Sequence, residues 1–288
     1  MGDLLKLAST ERSRFRSRLL RWYRVHRRAL PWRETSDSYA IWVSEVMLQQ
    51  TRVAAVLSHY RRFLDRFPSV FTLAEAELPE VLSAWSGLGY YRRARGLHAA
   101  ARKIVQEHDG QLPRTAEQLL PLPGFGRYTA AAVASIAFGQ PVAVLDGNVE
   151  RVLRRLSGIS DANTNTLWRA AEELLSRRFP SDFNQAMMEL GATICLPVAP
   201  RCPSCPVRGW CAARHSANGS AALRGKPRSP RHSLEISVML AQRSGRVLLI
   251  RRPESATVMP GLWELPPLTA PLANGTEPVL VVRHAIMQ

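Results

Sequence analysis

Two carboxyls and four thiols are the residues whose type and spacing could do chemistry. Glu45 lies in Ala40-Ile41-Trp42-Val43-Ser44-Glu45-Val46-Met47-Leu48. At helical spacing Ile41 and Leu48 flank it, so it sits on a largely apolar face. Burial there raises a carboxyl's pKa and favours the protonated form, which a general acid requires. A core-edge glutamate paired with an arginine is an equally good reading of this segment. Asp146 follows the apolar run Val142-Ala143-Val144-Leu145 and stands with Gly147 and Asn148 at a helix N-terminus. The dipole there favours the ionised form; by itself that describes an N-cap. As a pair, one carboxyl neutral and one ionised, they suit cleavage of a glycosidic bond. The acid protonates the leaving group, and the anion stabilises the positive charge that develops on the sugar.

The most specific signal is Cys195-x6-Cys202-x2-Cys205-x5-Cys211, which contains every cysteine of the chain. Four thiolates on short loops can enclose a [4Fe–4S] cluster. Zinc is the generic alternative, although zinc ribbons usually show two separated C-x2-C pairs and one is present here. Pro197, Pro200, Pro203 and Pro206 keep the segment non-helical. With all four thiolates engaged, the group would be structural or would position DNA. A tight cysteine cluster of this kind belongs in a reducing compartment.

The elements that position these groups are helical. Apolar periodicity predicts helices over residues 4–28, Tyr39–Gln50 with Ser38 as cap, and Thr51 to Phe67. Short helices follow at Thr72–Glu77 and Leu78–Ala84, then a basic helix from the Gly87–Tyr91 turn to His108. Thr115-x-x-Gln118 opens a short helix that Pro121 closes. Leu122-Pro123-Gly124-Phe125-Gly126 is a turn that runs directly into a helix over Arg127–Phe138. Backbone N–H groups at such a junction suit a phosphate; alone, the turn reads as punctuation between core helices. Further helices fit Asn148–Ser157, Thr164–Phe179 and Asp182–Ile194. Residues 215–232 read as a linker. Beyond it Leu234–Ala241 and Val247–Ile250 read as strands about a Ser244-Gly245 turn, with Val279–Val282 a third.

The chain of 288 residues carries a net charge of +16, mostly from arginine, which favours a polyanionic partner. Nucleic acid leads, with an anionic membrane surface a weaker fit. No apolar run reaches the ~18 residues of a membrane span. The arginine-rich N-terminus lacks the apolar core of a secretory signal. The expected setting is the bacterial cytoplasm at the nucleoid, or the nucleus or mitochondrion of a eukaryote.

Taken in order, Leu30-Pro31-Trp32-Arg33, Trp42–Thr51, Gly87–Tyr91, Leu122–Ala130, Leu145–Val149 and the cysteine loop resemble the MutY-type adenine DNA glycosylases of the helix-hairpin-helix superfamily. The resemblance covers about residues 15–215. It implies a mainly α fold: a helix-hairpin-helix glycosylase core over 1–214, with a six-helix part at about 31–141 and an iron–sulfur part formed by 1–30 plus 142–214. It implies that Glu45 protonates adenine, that Asp146 stabilises the oxocarbenium-like sugar, and that Tyr128, Asn148 and Glu189 support the site. Trp32, Arg33 and Leu48 match positions lining the adenine pocket. Gln49 falls among the DNA-contacting positions, and Gln50 and Tyr90 match side chains that wedge into the base stack. Leu122, Gly124 and Gly126 belong to the hairpin that grips a phosphate. Cys195, Cys202, Cys205 and Cys211 match the ligands of a [4Fe–4S] cluster. The implied partner is double-stranded DNA with an 8-oxoguanine:adenine or guanine:adenine mispair, met by a monomer.

Related endonuclease III-type enzymes carry a lysine where this chain has Tyr128. A phenol cannot form their Schiff base, so base removal without strong lyase activity is implied. Residues 233–288 are similar to the start of a Nudix-like domain, with Gly261–Pro266 as its best match. Arg283-His284-Ala285-Ile286-Met287-Gln288 begins a family segment and lacks its Phe-Ser-His portion. No Nudix acid cluster is present, so phosphohydrolase activity is not expected. A lesion-binding protein without turnover is the alternative to an enzyme.

Overall fold

Asp37, not Ser38, starts the helix that carries Glu45: its side chain accepts from Tyr39 N at 2.9 Å, and Ser38 is already helical. A carboxylate one residue upstream has the shorter reach to that free N–H, and it also favours the dipole's positive end. The computed structural model describes residues 5, 7–215, 236–253, 255–256, 260–268 and 279–281.

Twelve α-helices form among the described residues: α1 (Ser9–His26), α2 (Ser38–Leu48), α3 (Val53–Arg66), α4 (Val70–Glu75), α5 (Leu78–Ala84), α6 (Arg92–His108), α7 (Ala116–Leu119), α8 (Arg127–Phe138), α9 (Gly147–Ser157), α10 (Thr164–Leu174), α11 (Pro180–Thr193) and α12 (Ala212–His215). Several boundaries shift by one or two residues from expectation, and two shift further. The first helix starts at Ser9 and buries Phe15, Leu19, Leu20 and Tyr23, while Val25 is 74% exposed. Tyr23 is buried because it faces α11, where its hydroxyl bonds Gln185 Oε1 at 3.1 Å. The helix expected to reach Phe179 stops at Leu174, because the Arg16 side chain takes the carbonyls of Glu173 and Leu174, both at 2.8 Å, and turns the chain there.

The helices make two lobes within one unit, Met1–Leu88 with Arg92–Pro227. In the first, α2–α7 close over Trp42, Phe63, Trp85, Leu97, Ile104 and Leu119, all at most 1% exposed. In the second, α1 packs with α9–α11 around Phe15, Leu153, Leu167, Phe183 and Leu190. The alanine-rich α8 buries Thr129–Ser135 and lies between them, since small side chains allow close approach. The turn before α8 has Phe125 N bonded to Leu122 O at 3.1 Å, with Gly124 at φ 74°. Pro123 and Gly124 thus occupy the two central positions of a type II turn. The turn packs against α6 so closely that a Cβ on Gly96 would meet Gly124 Cα at 2.9 Å.

The second unit comprises Gly89–Tyr91 and Arg228–Gln288. Its strands are shorter than expected. β1 (Gln242–Arg243) pairs with β2 (Arg246–Val247) about Ser244 and Gly245, both at positive φ, and β3 (Ile250–Arg251) pairs with β4 (Trp263–Glu264). Of the expected strand Leu234–Ala241, the described part makes one bridge, Val238 to Pro267. Val279, Leu280 and Val281 form no strand and are exposed. Residues 216–232 of the expected linker, Val282, and Arg283–Gln288 lie outside the described residues.

Gly96→Ala is expected to destabilise by about 1–3 kcal/mol, because the new Cβ meets backbone. Gly126→Ala, where a Cβ meets nothing within 4 Å, should stay within about 0.5 kcal/mol of wild type. Denaturant unfolding of both variants checks this.

Candidate active site

The extended run before Asp146 pairs with no strand. Its backbone is satisfied by side chains: Ala143 N by Glu172 Oε1 at 2.8 Å, Val144 N by Asn184 Oδ1 at 3.2 Å, and Val142 O by Asn184 Nδ2 at 2.8 Å. These bonds satisfy a buried segment with no ladder and fix where Asp146 emerges. Asp146 then caps α9, accepting from Val149 N at 2.7 Å and Asn148 Nδ2 at 2.8 Å. Asn148 is itself held by Arg151, which donates to its Oδ1 at 2.9 Å, to Gly191 O at 2.8 Å and to Cys195 O at 2.9 Å. Only glycine fits at 191, since a Cβ would meet Asn148 Cβ at 2.5 Å.

Glu45 is 5% exposed, and its Oε2 accepts from the Tyr128 hydroxyl at 2.7 Å. Burial pushes the Glu45 carboxyl up to about 7; the Tyr128 bond opposes this, the Asp146 charge adds to it, and Arg33 opposes it. Tyr128 is raised well above a phenol's usual value, by burial first and by Glu45 next. Asp146 does not shift in the direction expected of a helix cap. Burial raises it, and the Val149, Asn148 and Arg151 groups pull it back. The two carboxyls therefore differ by their donors: one phenol for Glu45, against backbone N–H, amide and guanidinium groups for Asp146.

Both line a cavity of about 140 Å³ with Trp32, Arg33, Leu48, Tyr128, Asn148 and Glu189. That is small against the ~300–1,000 Å³ of ordinary ligand sites, and it suits one planar ring system. Glu189 has 0% exposure and accepts from Arg28 at 2.7 Å on both oxygens and from Arg33 at 2.8 Å. Burial raises its pKa, but the two guanidinium groups outweigh that and hold it down at about 2. Its position in the cavity thus comes with a fixed charge, unlike that of Glu45. Sequence reading missed Arg28, Thr51, Gln185 and Met188, which also line the cavity. Met188 was legible as the neighbour of Glu189, and Tyr128 OH lies 3.8 Å from its sulfur. Arg28 carried no signal among so many arginines.

Other expected site residues lie outside this cavity. Gln49 bonds Thr129 Oγ1 at 2.9 Å. Gln50 and Tyr90 stand in turns at φ 55° and 48°. Leu122 is buried in the hairpin, Gly124 abuts Gly96, and Gly126 caps α8 with open space beside it. Phe125 stacks on Trp42 at 5.3 Å, tying the hairpin to the helix of Glu45.

The four cysteines form no disulfide. Cys195, Cys211 and Cys202 each add to the rise of the Cys205 thiol, which burial pushes up to about 11, so the four sulfurs lie within electrostatic reach. Among the described residues, no three metal-ligating side chains converge as a single ion would need. Arg155, 5% exposed, donates to Cys195 Sγ at 3.2 Å and to the carbonyls of Leu196 and Pro197. Four thiols beside a buried guanidinium and the Phe15–Trp210 ring pair make a donor set that fits a thiolate-bound, net anionic group.

Two helical lobes meet at buried carboxyls, and a turn between two helices, type II in form, feeds the helix they share: a helix-hairpin-helix arrangement. Residues 43–177 match the family described as HhH-GPD superfamily base excision DNA repair protein. A solved thermostable thymine-DNA glycosylase superposes with a TM-score of 0.65 at 33% identity, covering 70% of this chain and 95% of that one. The chain belongs to the HhH-GPD superfamily. It is 43% identical over 312 residues to the adenine DNA glycosylase of Mus musculus, covering 88% of this chain, and it spans 60% of that relative's length. Endonuclease III in a non-covalent DNA complex shares the fold, with a TM-score of 0.61 at 24% identity, covering 74% of this chain and 98% of that one. No helix among the described residues is long and apolar enough to cross a membrane.

Glu189→Gln leaves two arginines facing a neutral amide, and should destabilise by about 3–5 kcal/mol at pH 7. Glu189's own contribution is present above an ordinary glutamate's pKa and is lost as pH falls toward about 2. For Glu45 the sign reverses: its raised pKa costs stability as pH rises from an ordinary glutamate value through about 7. Glu45→Gln should therefore melt higher than wild type at pH 8, with the gap narrowing by pH 5. Melting curves of Glu45→Gln at pH 5 and 8, and of Glu189→Gln at pH 7 and about 3, each beside wild type, check these signs.

Proposed function

We propose that this chain is an adenine DNA glycosylase that removes adenine mispaired with 8-oxoguanine or guanine. The observation that carries it is the 2.7 Å bond from Tyr128 to a buried Glu45, in the same cavity as the capped Asp146. The base leaves the duplex and enters the cavity, since no side chain reaches the bond inside a stack. Trp32, Arg33 and Leu48 line its seat. Neutral Glu45 gives its proton to the adenine ring as the bond to the sugar C1′ breaks. Asp146, oriented by Asn148 and Val149 N–H, stabilises the oxocarbenium-like sugar that remains. Water then adds at C1′ and its released proton restores Glu45, leaving free adenine and an abasic site. Tyr128 has no amine, so no Schiff base forms and the strand is not cut.

Leu122, Gly124 and Gly126 present the turn to a phosphate, and Gln50 and Tyr90 enter the base stack. Cys195, Cys202, Cys205 and Cys211 would hold a [4Fe–4S] cluster, whose role would be to order their loop for DNA contact. In this reading the chain divides into a six-helix part at about 31–141 and an iron–sulfur part (1–30 plus 142–214), which the two lobes on either side of α8 support. Residues 233–288 are read as part of a Nudix-like domain, the kind of module that recognises the base opposite adenine. The protein works as a monomer in the compartment that holds its DNA.

Single-turnover excision from an 8-oxoguanine:adenine duplex is the test. Glu45→Gln should slow it by about 10²–10⁴-fold, and Asp146→Asn should slow it at least as much. The wild-type rate should fall as pH rises through about 7, where Glu45 loses its proton. Borohydride should trap no adduct. Absence of excision by cluster-loaded wild type would refute the reading.

A further inference from the structure

Arg93, outside the cavity, gathers one turn of backbone. Its guanidinium donates to the carbonyls of Val46 (3.0 Å), Met47 (2.8 Å), Gln49 (2.6 Å) and Leu88 (3.1 Å), and to Thr51 Oγ1 (3.0 Å). It lies 5.4 Å from the centre of the buried Trp85 ring. The Val46 and Met47 carbonyls belong to the last turn of α2, where helical carbonyls lack partners. Residues 48–51 then form a tight turn. Thr51 N bonds Leu48 O at 3.3 Å, Gln49 has φ −58° and ψ 115°, and Gln50 has φ 55°. This is type II geometry, whose third position takes glycine by default. At Pro123-Gly124 the same chain supplies that glycine. Here it places an exposed glutamine instead, so a side chain is required where backbone geometry disfavours one. Leu48 and Thr51 both line the cavity, which puts Gln50 at its rim. Such strain persists only where the surroundings over-determine it. Arg93, together with the bond from Gln49 to Thr129, does so.

We propose that Arg93 is a positioning residue that holds Gln50 left-handed at the cavity rim, set to fill the stack as a nucleotide is extruded. The use of the held side chain rests on the adenine-excision reading; the holding itself does not. Hydrogen exchange without DNA reads the holding. In Arg93→Met, amides 49–52 should exchange at least about tenfold faster, with the remaining core unchanged. A duplex carrying 2-aminopurine beside the mispaired adenine reads extrusion. Arg93→Met and Gln50→Ala should each slow it, and the double variant should be no slower than the worse single one. Unchanged exchange at 49–52, or additive effects on extrusion, would overturn the proposal. Should Arg93→Met not fold, Arg93→Lys carries the same test, because an ammonium keeps the charge and cannot span the fork of acceptors. If wild type extrudes nothing, the adenine reading fails while the exchange result still decides the clamp.

Discussion

Charge withdrawn from water at the seam between two helical lobes is the constraint on which this structure depends. Glu45, Asp146 and Glu189 come from α2, the N-cap of α9 and α11, and all face one small cavity. Three anions there would repel one another and lose hydration. The structure resolves this in three different ways. Glu189 is neutralised by two arginines, Asp146 is surrounded by donors, and Glu45 is left with a phenol and drifts toward neutrality. The same set of compensations that lets the lobes close also divides the chemical roles.

The bond network behind the cavity connects distant parts of the second lobe. Arg151 holds Asn148 on one side and the Cys195 carbonyl on the other, while Arg155 lies against the Cys195 sulfur. The cysteine loop and the Asp146 cap are thus braced by neighbouring turns of α9. A loop whose regular structure is two single 3₁₀ turns, Cys202–Ser204 and Arg208–Trp210, gains its shape from guanidinium groups as well as from whatever its thiolates bind.

Helices and turns were legible in the sequence because proline, glycine and apolar period mark them locally. Arg127–Phe138 begins and ends as its pattern says. Glu45 was legible because its neighbours at helical spacing are apolar. What was not legible depends on partners distant in sequence. Tyr23 is buried because α11 lies against it. The helix after Asn163 stops early because Arg16 takes its terminal carbonyls. Asp146 has its cap, as its position promised, yet burial reverses the expected shift, and burial is a property of the assembled lobes. Arg28, Arg93 and Arg151 were indistinguishable from the other arginines, since side-chain type does not say which carbonyl or carboxylate a guanidinium will meet.

The first helix belongs to the last-made lobe. Arg16, Tyr23 and Arg28 find Leu174, Gln185 and Glu189, each about 160 residues away. As the chain leaves the ribosome, α2–α7 can close over their own core, whereas α1 has nothing to pack against until α11 emerges. Its arginines must stay hydrated through that interval, which their charge favours. Closure of the seam therefore waits on α11, so a chain interrupted before α11 would carry Glu45 and Tyr128 without an enclosed cavity.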